Sequence, residues 1–344
     1  MPTNIRPAFL FPGQGSQTVG MGRDLYDRFP AARATFEEAD DALGFPLSKL
    51  IFDGPAEDLA LTEHTQPAIL TVSVAAYRVF SDALKPLGIA PTFAAGHSLG
   101  EYSAHVAAGT FSFADAVRTV CSRGQFMQAA VPAGVGAMAA ILGLPVPQIN
   151  DICAQVSDEL SSPSPTDTAP SESAESRADV VRAIVSPANL NSPDQTVISG
   201  AKAAVERAAE LCKDAGAKKT VMLNVSAPFH CALMQPAQDA LATTLEGIAF
   251  ADPAWPVAAN VDARLLTRGT DVRDCLIRQV TGPVRWVECI QLLIFDGATH
   301  FIEVGPGRVL SGLMRQIDRA QKALNVEDSA SLDKTLQALT AAPE

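Results

Sequence analysis

A glycine-flanked serine at the junction of a strand and a helix is the feature that most constrains this chain. The sequence Gly96-His97-Ser98-Leu99-Gly100 ends an apolar run, 91–96, that predicts a strand, and begins a small-residue stretch, 99–108, that predicts a helix. The glycines permit a sharp turn that projects the serine hydroxyl, and the next backbone N–H then points to where an oxyanion would develop. We therefore predict an α/β fold in which Ser98 is a nucleophile; a structural turn without chemistry is the alternative.

Strand and helix patterns alternate along much of the chain. Residues 8–11 predict a strand that ends at a Pro-Gly turn, 65–80 have the apolar spacing of a mostly buried helix with Pro67 in its first turn, and 301–305 predict a further buried strand. This alternation favours a parallel sheet covered by helices on both faces.

A second pattern begins near residue 135 and has the order β-α-β-β-α-β of a ferredoxin-like unit. Its predicted strands are 137–142, 180–186, 195–200 and 218–226, the middle two joined around 189–193, and its predicted helices are 146–156 and 201–217. We therefore predict two domains: a catalytic core formed by residues 1–133 and 227–344, and an inserted subdomain formed by residues 134–226.

A polar segment interrupts the inserted subdomain. Residues 157–179 contain seven Ser and three Pro, and six acidic residues against one basic residue. Such a segment cannot bury enough apolar surface to offset the entropy of ordering it, so we predict a flexible surface loop.

The composition excludes several classes of function. The chain has 344 residues and a net charge of −12, which disfavours nucleic-acid binding, because phosphate contacts need clustered Lys and Arg. No segment reaches the roughly 18 to 20 apolar residues of a membrane helix, and the N-terminus does not resemble a signal peptide. The six cysteines form no CxxC pair, so we expect reduced thiols and no metal site. These features favour a cytoplasmic protein that binds neither membranes nor nucleic acids.

A serine nucleophile needs a base, and elimination leaves one of the five histidines. His97 is adjacent to the serine and should point away from it, while His105 lies inside a predicted helix and is expected in the core. His64 and His300 have no chemical neighbourhood in the sequence. His230, which directly follows the last predicted strand of the insert, is therefore the candidate base.

A second glycine turn, Phe11–Gln17, follows the first predicted strand. It is either a tight turn without a ligand or a source of a second backbone N–H for an oxyanion. A phosphate loop is not supported, because no Lys follows in the required position.

These segments together resemble the malonyl-CoA:acyl carrier protein transacylases and the related acyltransferase domains of fatty acid and polyketide synthases. The resemblance covers about residues 7–320 and rests on FPGQGSQ (11–17), TQPAIL (65–70), GHSLGEYSA (96–104), RGQFMQ (123–128), GAMAAI (136–141), NSPDQTVISG (191–200), SAPFHC (226–231), NVDA (260–263), RQVTGPVRW (278–286) and EVGPGRVL (303–310). It implies an α/β-hydrolase-like parallel-sheet core with an inserted ferredoxin-like subdomain.

The resemblance also implies roles for individual residues. Ser98 would be the nucleophile, His230 its general base and acid, and the backbone amides of Gln14 and Leu99 the oxyanion hole. Arg123 would bind the free malonyl carboxylate, to which a guanidinium offers two parallel N–H donors. Without the resemblance, Arg123 would be assigned to a solvated helix face.

Three further positions follow from the resemblance alone. A main-chain carbonyl near Gln279 would orient the histidine, so that no acidic third member is needed. Met127 and Phe229 would line the acyl pocket, although a methionine so placed is more often part of the core. A bulky Phe229 together with Leu99 accompanies malonyl rather than methylmalonyl selection in related domains.

The implied reaction is a ping-pong transfer from malonyl-CoA to the phosphopantetheine thiol of acyl carrier protein, with no cofactor besides these substrates and with a monomeric enzyme. Carrier proteins are acidic, so we expect a local basic patch for docking. Its candidates are Lys213, Lys218, Lys219, Arg278, Arg285 and Arg308. The alternatives are a serine hydrolase on a similar core and a catalytically silent carrier-binding scaffold.

Overall fold

The computed structural model describes residues 5–132, 134–161 and 183–341. Its strands are β1 (Pro7–Phe11), β2 (Phe93–Gly96), β3 (Gly136–Leu142), β4 (Val185–Ser192), β5 (Gln195–Ala201), β6 (Lys219–Met222), β7 (Val257–Ala259), β8 (Arg264–Leu266), β9 (His300–Val304) and β10 (Ala323–Val326). Its α-helices are α1 (Arg23–Arg28), α2 (Pro30–Leu43), α3 (Leu47–Asp53), α4 (Ala56–Leu59), α5 (Thr62–Leu84), α6 (Gly100–Ala107), α7 (Phe113–Ala130), α8 (Val146–Ser161), α9 (Lys202–Asp214), α10 (Gln235–Glu246), α11 (Gly269–Arg278), α12 (Trp286–Phe295), α13 (Val309–Ile317) and α14 (Ser329–Thr340).

The chain forms two compact units. The first unit comprises Met1–Gln125, Thr243–Leu276 and Glu288–Glu344, and the second comprises Phe126–Ala242 and Ile277–Val287. The second unit includes more of the chain than the predicted inserted subdomain, 134–226.

The segment 277–287 belongs to the second unit because it pairs with β4. The amide of Val284 donates to the Ala188 carbonyl at 2.8 Å, and the amide of Leu190 donates to the Val284 carbonyl at 2.9 Å. These backbone bonds join residues that are far apart in sequence.

The first unit is built on a six-stranded sheet in the order β10-β9-β1-β2-β7-β8. All neighbouring pairs are parallel except β7–β8, which is an antiparallel hairpin. Every residue of β1 and β2 is buried, as expected for central strands covered on both faces. This confirms the predicted parallel-sheet core.

The register of β1 against β2 determines where the two glycine turns lie. Phe11, the last residue of β1, pairs with Gly96, the last residue of β2. Because parallel strands end at the same edge of a sheet, the turns that follow them begin side by side. This is the edge at which open α/β sheets bind their ligands.

The helix predicted over 65–80 is longer than its sequence pattern indicates. It runs over Thr62–Leu84, so Pro67 lies in its second turn and not in its first. Pro67 lacks an N–H, and its carbonyl accepts the Thr71 hydroxyl at 2.7 Å. Every side chain from Thr65 to Ala76 is buried, and burial of this helix outweighs the cost of an internal proline.

The second unit contains a four-stranded antiparallel sheet in the order β4-β5-β3-β6. The elements follow one another along the chain as β3, α8, β4, β5, α9 and β6. This confirms the predicted β-α-β-β-α-β unit, whose last strand, Lys219–Met222, is shorter than predicted.

One strand of this sheet was predicted in the wrong place. The prediction put a strand at 180–186 and a connection at 189–193, whereas β4 runs over Val185–Ser192, and residues 180–182 lie outside the described residues. β4 is an edge strand with two irregularities in its register, and such a strand accommodates the turn-forming Pro187 and Asn189.

The predicted loop at 157–179 is also corrected at its start. Residues 157–161 form the end of α8, where Glu159 accepts from the side chain of Gln155 at 2.7 Å and Val156 is buried. Residues 162–179 of that segment lie outside the described residues.

Candidate active site

The turn between β2 and α6 holds Ser98 in a strained conformation that only glycine neighbours permit. Ser98 has φ of 50°, in the left-handed region. A Cβ on Gly96 would lie 1.9 Å from the carbonyl carbon and oxygen of Gly100, and a Cβ on Gly100 would lie 2.1 Å from the Phe11 carbonyl oxygen. The chain therefore crosses itself too closely for any side chain at either glycine.

A buried asparagine from the β7–β8 hairpin holds this turn. The backbone N–H of Ser98 donates to Oδ1 of Asn260 at 2.7 Å, and Nδ2 of Asn260 donates to the Gly96 carbonyl at 2.7 Å. The amide of Asn260 donates to Oε2 of Glu101 at 3.0 Å. Asn260 and Glu101 are both fully buried.

The second glycine turn lies directly beside the first. The amide of His97 donates to the Phe11 carbonyl at 3.0 Å, and a Cβ on Gly13 would lie 2.3 Å from the His97 carbonyl oxygen. Gln14, the next residue, is exposed at this edge of the sheet. Leu99 supplies the amide that follows the serine, at the point where α6 begins. Both predicted oxyanion donors thus belong to adjacent turns of the first unit.

Arg123 on α7 points into the same unit and is 2% exposed. Its Nη1 donates to Oε1 of Gln66 at 2.8 Å, and its Nη2 lies 3.3 Å from Oγ of Ser98. The guanidinium also lies 5.6 Å from the ring centre of Tyr102. Burial lowers the pKa of Arg123, but an arginine side chain stays protonated in proteins. Arg123 is therefore a buried cation beside the serine. The sequence without the resemblance had assigned it to a solvated helix face.

His105 is part of the core, as its position in a predicted helix indicated. It is fully buried, and its Nδ1 lies 3.2 Å from the hydroxyl of Thr110. Burial lowers the pKa of His105 to about 3, so the ring is neutral at neutral pH.

His230 in the second unit is held by the main chain of Gln279. Its Nδ1 lies 2.8 Å from the Gln279 carbonyl oxygen. A carbonyl oxygen only accepts, so Nδ1 carries the proton and Nε2 of the neutral ring is left with its lone pair. His230 has φ of 60° and is 3% exposed, and Gln279 is fully buried. This is the tautomer that a histidine needs in order to act as a general base through Nε2.

Both predicted catalytic residues, Ser98 and His230, have a positive backbone φ. Among non-glycine residues in the described ranges, φ is positive at Ser98, His230 and Ala263. Residues in such sparsely populated regions cluster at functional sites. Ala263 belongs to the hairpin loop that carries Asn260.

A cavity of about 320 Å³ opens beside His230 within the second unit. Its lining mixes apolar side chains with polar ones, including Asn150, Thr281 and Arg285. Such a lining suits a small ligand that has both apolar and polar groups.

The remaining predicted site residues are described by burial alone. Met127 and Phe229 are both buried, and neither is among the residues that line the cavity beside His230. Their predicted role in the acyl pocket remains a prediction. Of the basic candidates, Lys213, Lys218 and Lys219 are exposed in the second unit, and Arg308 pairs with Glu327 at 2.9 Å.

The described ranges contain neither a metal-binding cluster nor a helix that could span a membrane. Within 5–132, 134–161 and 183–341, no group of three or more His, Cys, Asp or Glu side chains is placed to hold a metal ion. In the same ranges, no helix combines the length and the apolar character that crossing a membrane requires. None of the six cysteines, all of which lie in these ranges, is part of a disulfide, and five of them are buried.

Asn260, Gln66 and Glu101 are site residues that the sequence analysis did not assign. All three lie in segments on which the family resemblance rests, NVDA, TQPAIL and GHSLGEYSA. Membership of these segments was the one sequence feature that could have pointed to them. Their roles stayed hidden because Asn260 is 162 residues from Ser98, and Gln66 is 57 residues from Arg123.

The sequence has close, nearly full-length relatives. Residues 8–158 match the family model of the acyl transferase domain. The malonyl CoA-acyl carrier protein transacylase of Bacillus subtilis (strain 168) is 47% identical over 332 residues, with 96% of each chain covered. That of Escherichia coli (strain K12) is 48% identical over 330 residues, covering 96% of this chain and 98% of the relative.

Solved structures that are similar to this chain belong to the same family as these relatives. An acyl carrier protein S-malonyltransferase from Vibrio cholerae has a TM-score of 0.86 at 46% identity, with 96% of this chain and 99% of that chain covered. A malonyl-transacylase solved in complex with a type II PKS acyl-carrier protein has a TM-score of 0.86 at 45% identity, covering 97% and 99%. Identity at this level along the whole chain, together with the shared fold, establishes that the chain belongs to the malonyl CoA-acyl carrier protein transacylase family.

Proposed function

We propose that this protein transfers the malonyl group from malonyl-CoA to the phosphopantetheine thiol of acyl carrier protein, through a malonyl ester on Ser98. The observation that carries the proposal is the buried guanidinium of Arg123, whose Nη2 lies 3.3 Å from the serine oxygen. A fixed cation at this distance suits an acyl group that ends in a carboxylate.

The first half-reaction acylates the serine. Nε2 of His230 takes the proton of Ser98 as Oγ attacks the thioester carbonyl, and the amides of Gln14 and Leu99 stabilise the oxyanion. The tetrahedral intermediate collapses, the carbon–sulfur bond breaks, and His230 returns the proton to the CoA thiolate. Malonyl-Ser98 and free CoA result.

The second half-reaction runs the same path in reverse. His230 takes the proton of the phosphopantetheine thiol, the sulfur attacks the ester carbonyl, and the proton passes to Oγ as Ser98 leaves. The ester must outlive water, so the site must exclude or misplace it. The carbonyl of Gln279 supports this exchange, because it keeps the proton of the neutral ring on Nδ1.

Arg123 accounts for substrate choice in this proposal. Gln66 holds one arm of the guanidinium, so the cation is preorganised before substrate binds. A malonyl carboxylate gains a charge-assisted hydrogen bond there, and an acetyl group gains nothing. Met127 and Phe229 would limit the size of the acyl group.

Intact-protein mass spectrometry after incubation with malonyl-CoA tests the proposal. The wild-type chain should gain one malonyl group, and Ser98→Ala should gain none. Ser103→Ala removes another serine hydroxyl that is buried in α6, and it should be labelled like the wild type. Addition of holo acyl carrier protein should then move the malonyl group to the carrier.

Two other outcomes would replace the proposal. Steady malonate release without the carrier would indicate a serine hydrolase. Carrier binding without any acylated enzyme would indicate a silent scaffold. We propose further that the enzyme is a cytoplasmic monomer that needs no cofactor and that supplies fatty acid synthesis.

A further inference from the structure

The side chain of Asn260 connects the hairpin between β7 and β8 to the nucleophile turn. Its loop, 260–263, is closed by a hydrogen bond from the Ala263 amide to the Ala259 carbonyl at 2.9 Å, and Ala263 has φ of 49°. This tight loop presents Asn260 to a turn that lies 162 residues earlier in the chain. Asn260 is fully buried, so water does not compete for its hydrogen bonds.

Both polar atoms of the Asn260 side chain bond to that turn. Oδ1 accepts the Ser98 N–H, Nδ2 donates to the Gly96 carbonyl, and both distances are 2.7 Å. The backbone N–H of Asn260 donates to the carboxylate of Glu101, in the first turn of α6, which fixes the hairpin against the helix. The end of the strand, the nucleophile and the start of the helix are thereby joined through one residue.

We propose that Asn260 is a positioning residue that keeps Ser98 in its strained, reactive conformation. A non-glycine residue at φ of 50° costs on the order of 1–3 kcal/mol and persists only where its surroundings over-determine it. The two short hydrogen bonds of a buried amide supply that constraint. They also engage the N–H of Ser98 itself, so stabilisation of the oxyanion falls to other amides.

The rate at which Ser98 becomes acylated is the quantity that Asn260 should control. In single-turnover reactions with malonyl-CoA, Asn260→Ala should lower the limiting acylation rate about 100-fold, since a misplacement of roughly 1 Å costs this much. The malonyl-CoA concentration that gives half the limiting rate should stay within about twofold, because Arg123 is untouched. A limiting rate equal to that of the wild type would overturn the proposal.

Cys289→Ala is the matched control for damage to the hairpin. The Cys289 thiol is buried and donates to the Ala259 carbonyl at 3.3 Å, so its loss loosens the same hairpin without touching the turn. We expect this variant to lose thermal stability and to keep the acylation rate within about threefold. If its rate falls as far as that of Asn260→Ala, the role of Asn260 is merely structural.

Asn260→Asp tests the proposal even if the alanine variant does not fold. The ionised carboxylate keeps an acceptor for Ser98 but sets a second oxygen against the Gly96 carbonyl. Protonation restores the donor, and burial beside Glu101 raises the pKa of such a carboxyl. The ratio of the variant's limiting rate to that of the wild type should therefore rise as the pH falls from about 8.5 to about 6. A ratio that does not change with pH would contradict the proposal.

The inference rests on the proposed function only for the acyl donor. If the wild type is not acylated by malonyl-CoA, the same variants are compared by labelling with a fluorophosphonate, which reacts with activated serines. Slower labelling of Asn260→Ala but not of Cys289→Ala would sustain the role of Asn260 while the proposed function fails. Absence of Ser98 labelling in the wild type would overturn both.

Discussion

Arg123 and Ser98 meet inside the first unit, with Nη2 of the arginine 3.3 Å from Oγ of the serine. Arg123 is 2% exposed, and Gln66 accepts from the other terminal nitrogen of its guanidinium. A cation so fixed acts on whatever acyl group the serine carries.

Arg123→Ala should separate malonyl from acetyl transfer. Removing one partner of a buried, hydrogen-bonded charge pair costs about 2 kcal/mol or more, which corresponds to about a 30-fold or greater loss in kcat/KM for malonyl-CoA. Acetyl transfer should be spared, because an acetyl group has no carboxylate to bind. Arg118→Ala, on an exposed turn of the same helix, is the control and should change neither rate. Equal losses for both acyl groups would exclude carboxylate recognition by Arg123.

Gly96→Ala should destabilise the protein, whereas Gly312→Ala should stabilise it. The added Cβ at Gly96 would lie 1.9 Å from backbone atoms of Gly100, and we expect a loss of about 3 kcal/mol or more in the free energy of unfolding. No atom lies within 4 Å of a Cβ added at Gly312, which is inside α13, so the gain there should be about 0.5–1 kcal/mol. Chemical denaturation measures both. A well-folded Gly96→Ala enzyme would contradict the turn geometry.

His105 should make the protein less stable in mild acid. The pKa of this buried ring is lowered to about 3, against 6.5 for an ordinary histidine. Between these values the unfolded chain binds a proton that the folded chain does not, so stability falls as the pH drops through that window, by about 1.4 kcal/mol per pH unit at most.

His105→Asn removes this titration and keeps a side chain that can reach Thr110. Its denaturation midpoint should therefore depend less steeply on pH than that of the wild type below about pH 6.5. Parallel curves for the two proteins between pH 4 and pH 7, as rough limits, would show that His105 titrates normally in the folded state.

Charge reversal at Lys218 and Lys219 should weaken carrier binding alone. Both side chains are exposed, and the net charge of −12 leaves few basic surfaces for an acidic partner. We expect Lys218→Glu/Lys219→Glu to raise the apparent KM for acyl carrier protein several-fold and to leave that for malonyl-CoA unchanged. Lys49→Glu/Lys334→Glu changes the net charge equally at exposed sites of the first unit and is the control. If both double variants behave alike, docking responds to total charge and not to this patch.

The correct prediction of β5 and the wrong prediction of β4 show which strands can be predicted from the local sequence pattern. β5 was predicted at 195–200 and runs over Gln195–Ala201, because it contains the β-branched run 196–198, which favours a strand. β4 was misplaced because Pro187 and Asn189 are typical of turns. What makes this segment a strand is its antiparallel pairing with β5, and a single bridge from Asn189 to Val284 adds to it from about a hundred residues further along the chain.

The sequence by itself determined the nucleophile turn, because the constraint there is steric and local. At positions 96 and 100 the backbone passes so close to other backbone atoms that only glycine fits. Both positions lie two residues from Ser98. Only the tertiary structure decided what holds that serine and its cation in place. Asn260 and Gln66 reach the turn across long stretches of chain, and a hydrogen bond depends on distance in space and not on spacing in sequence.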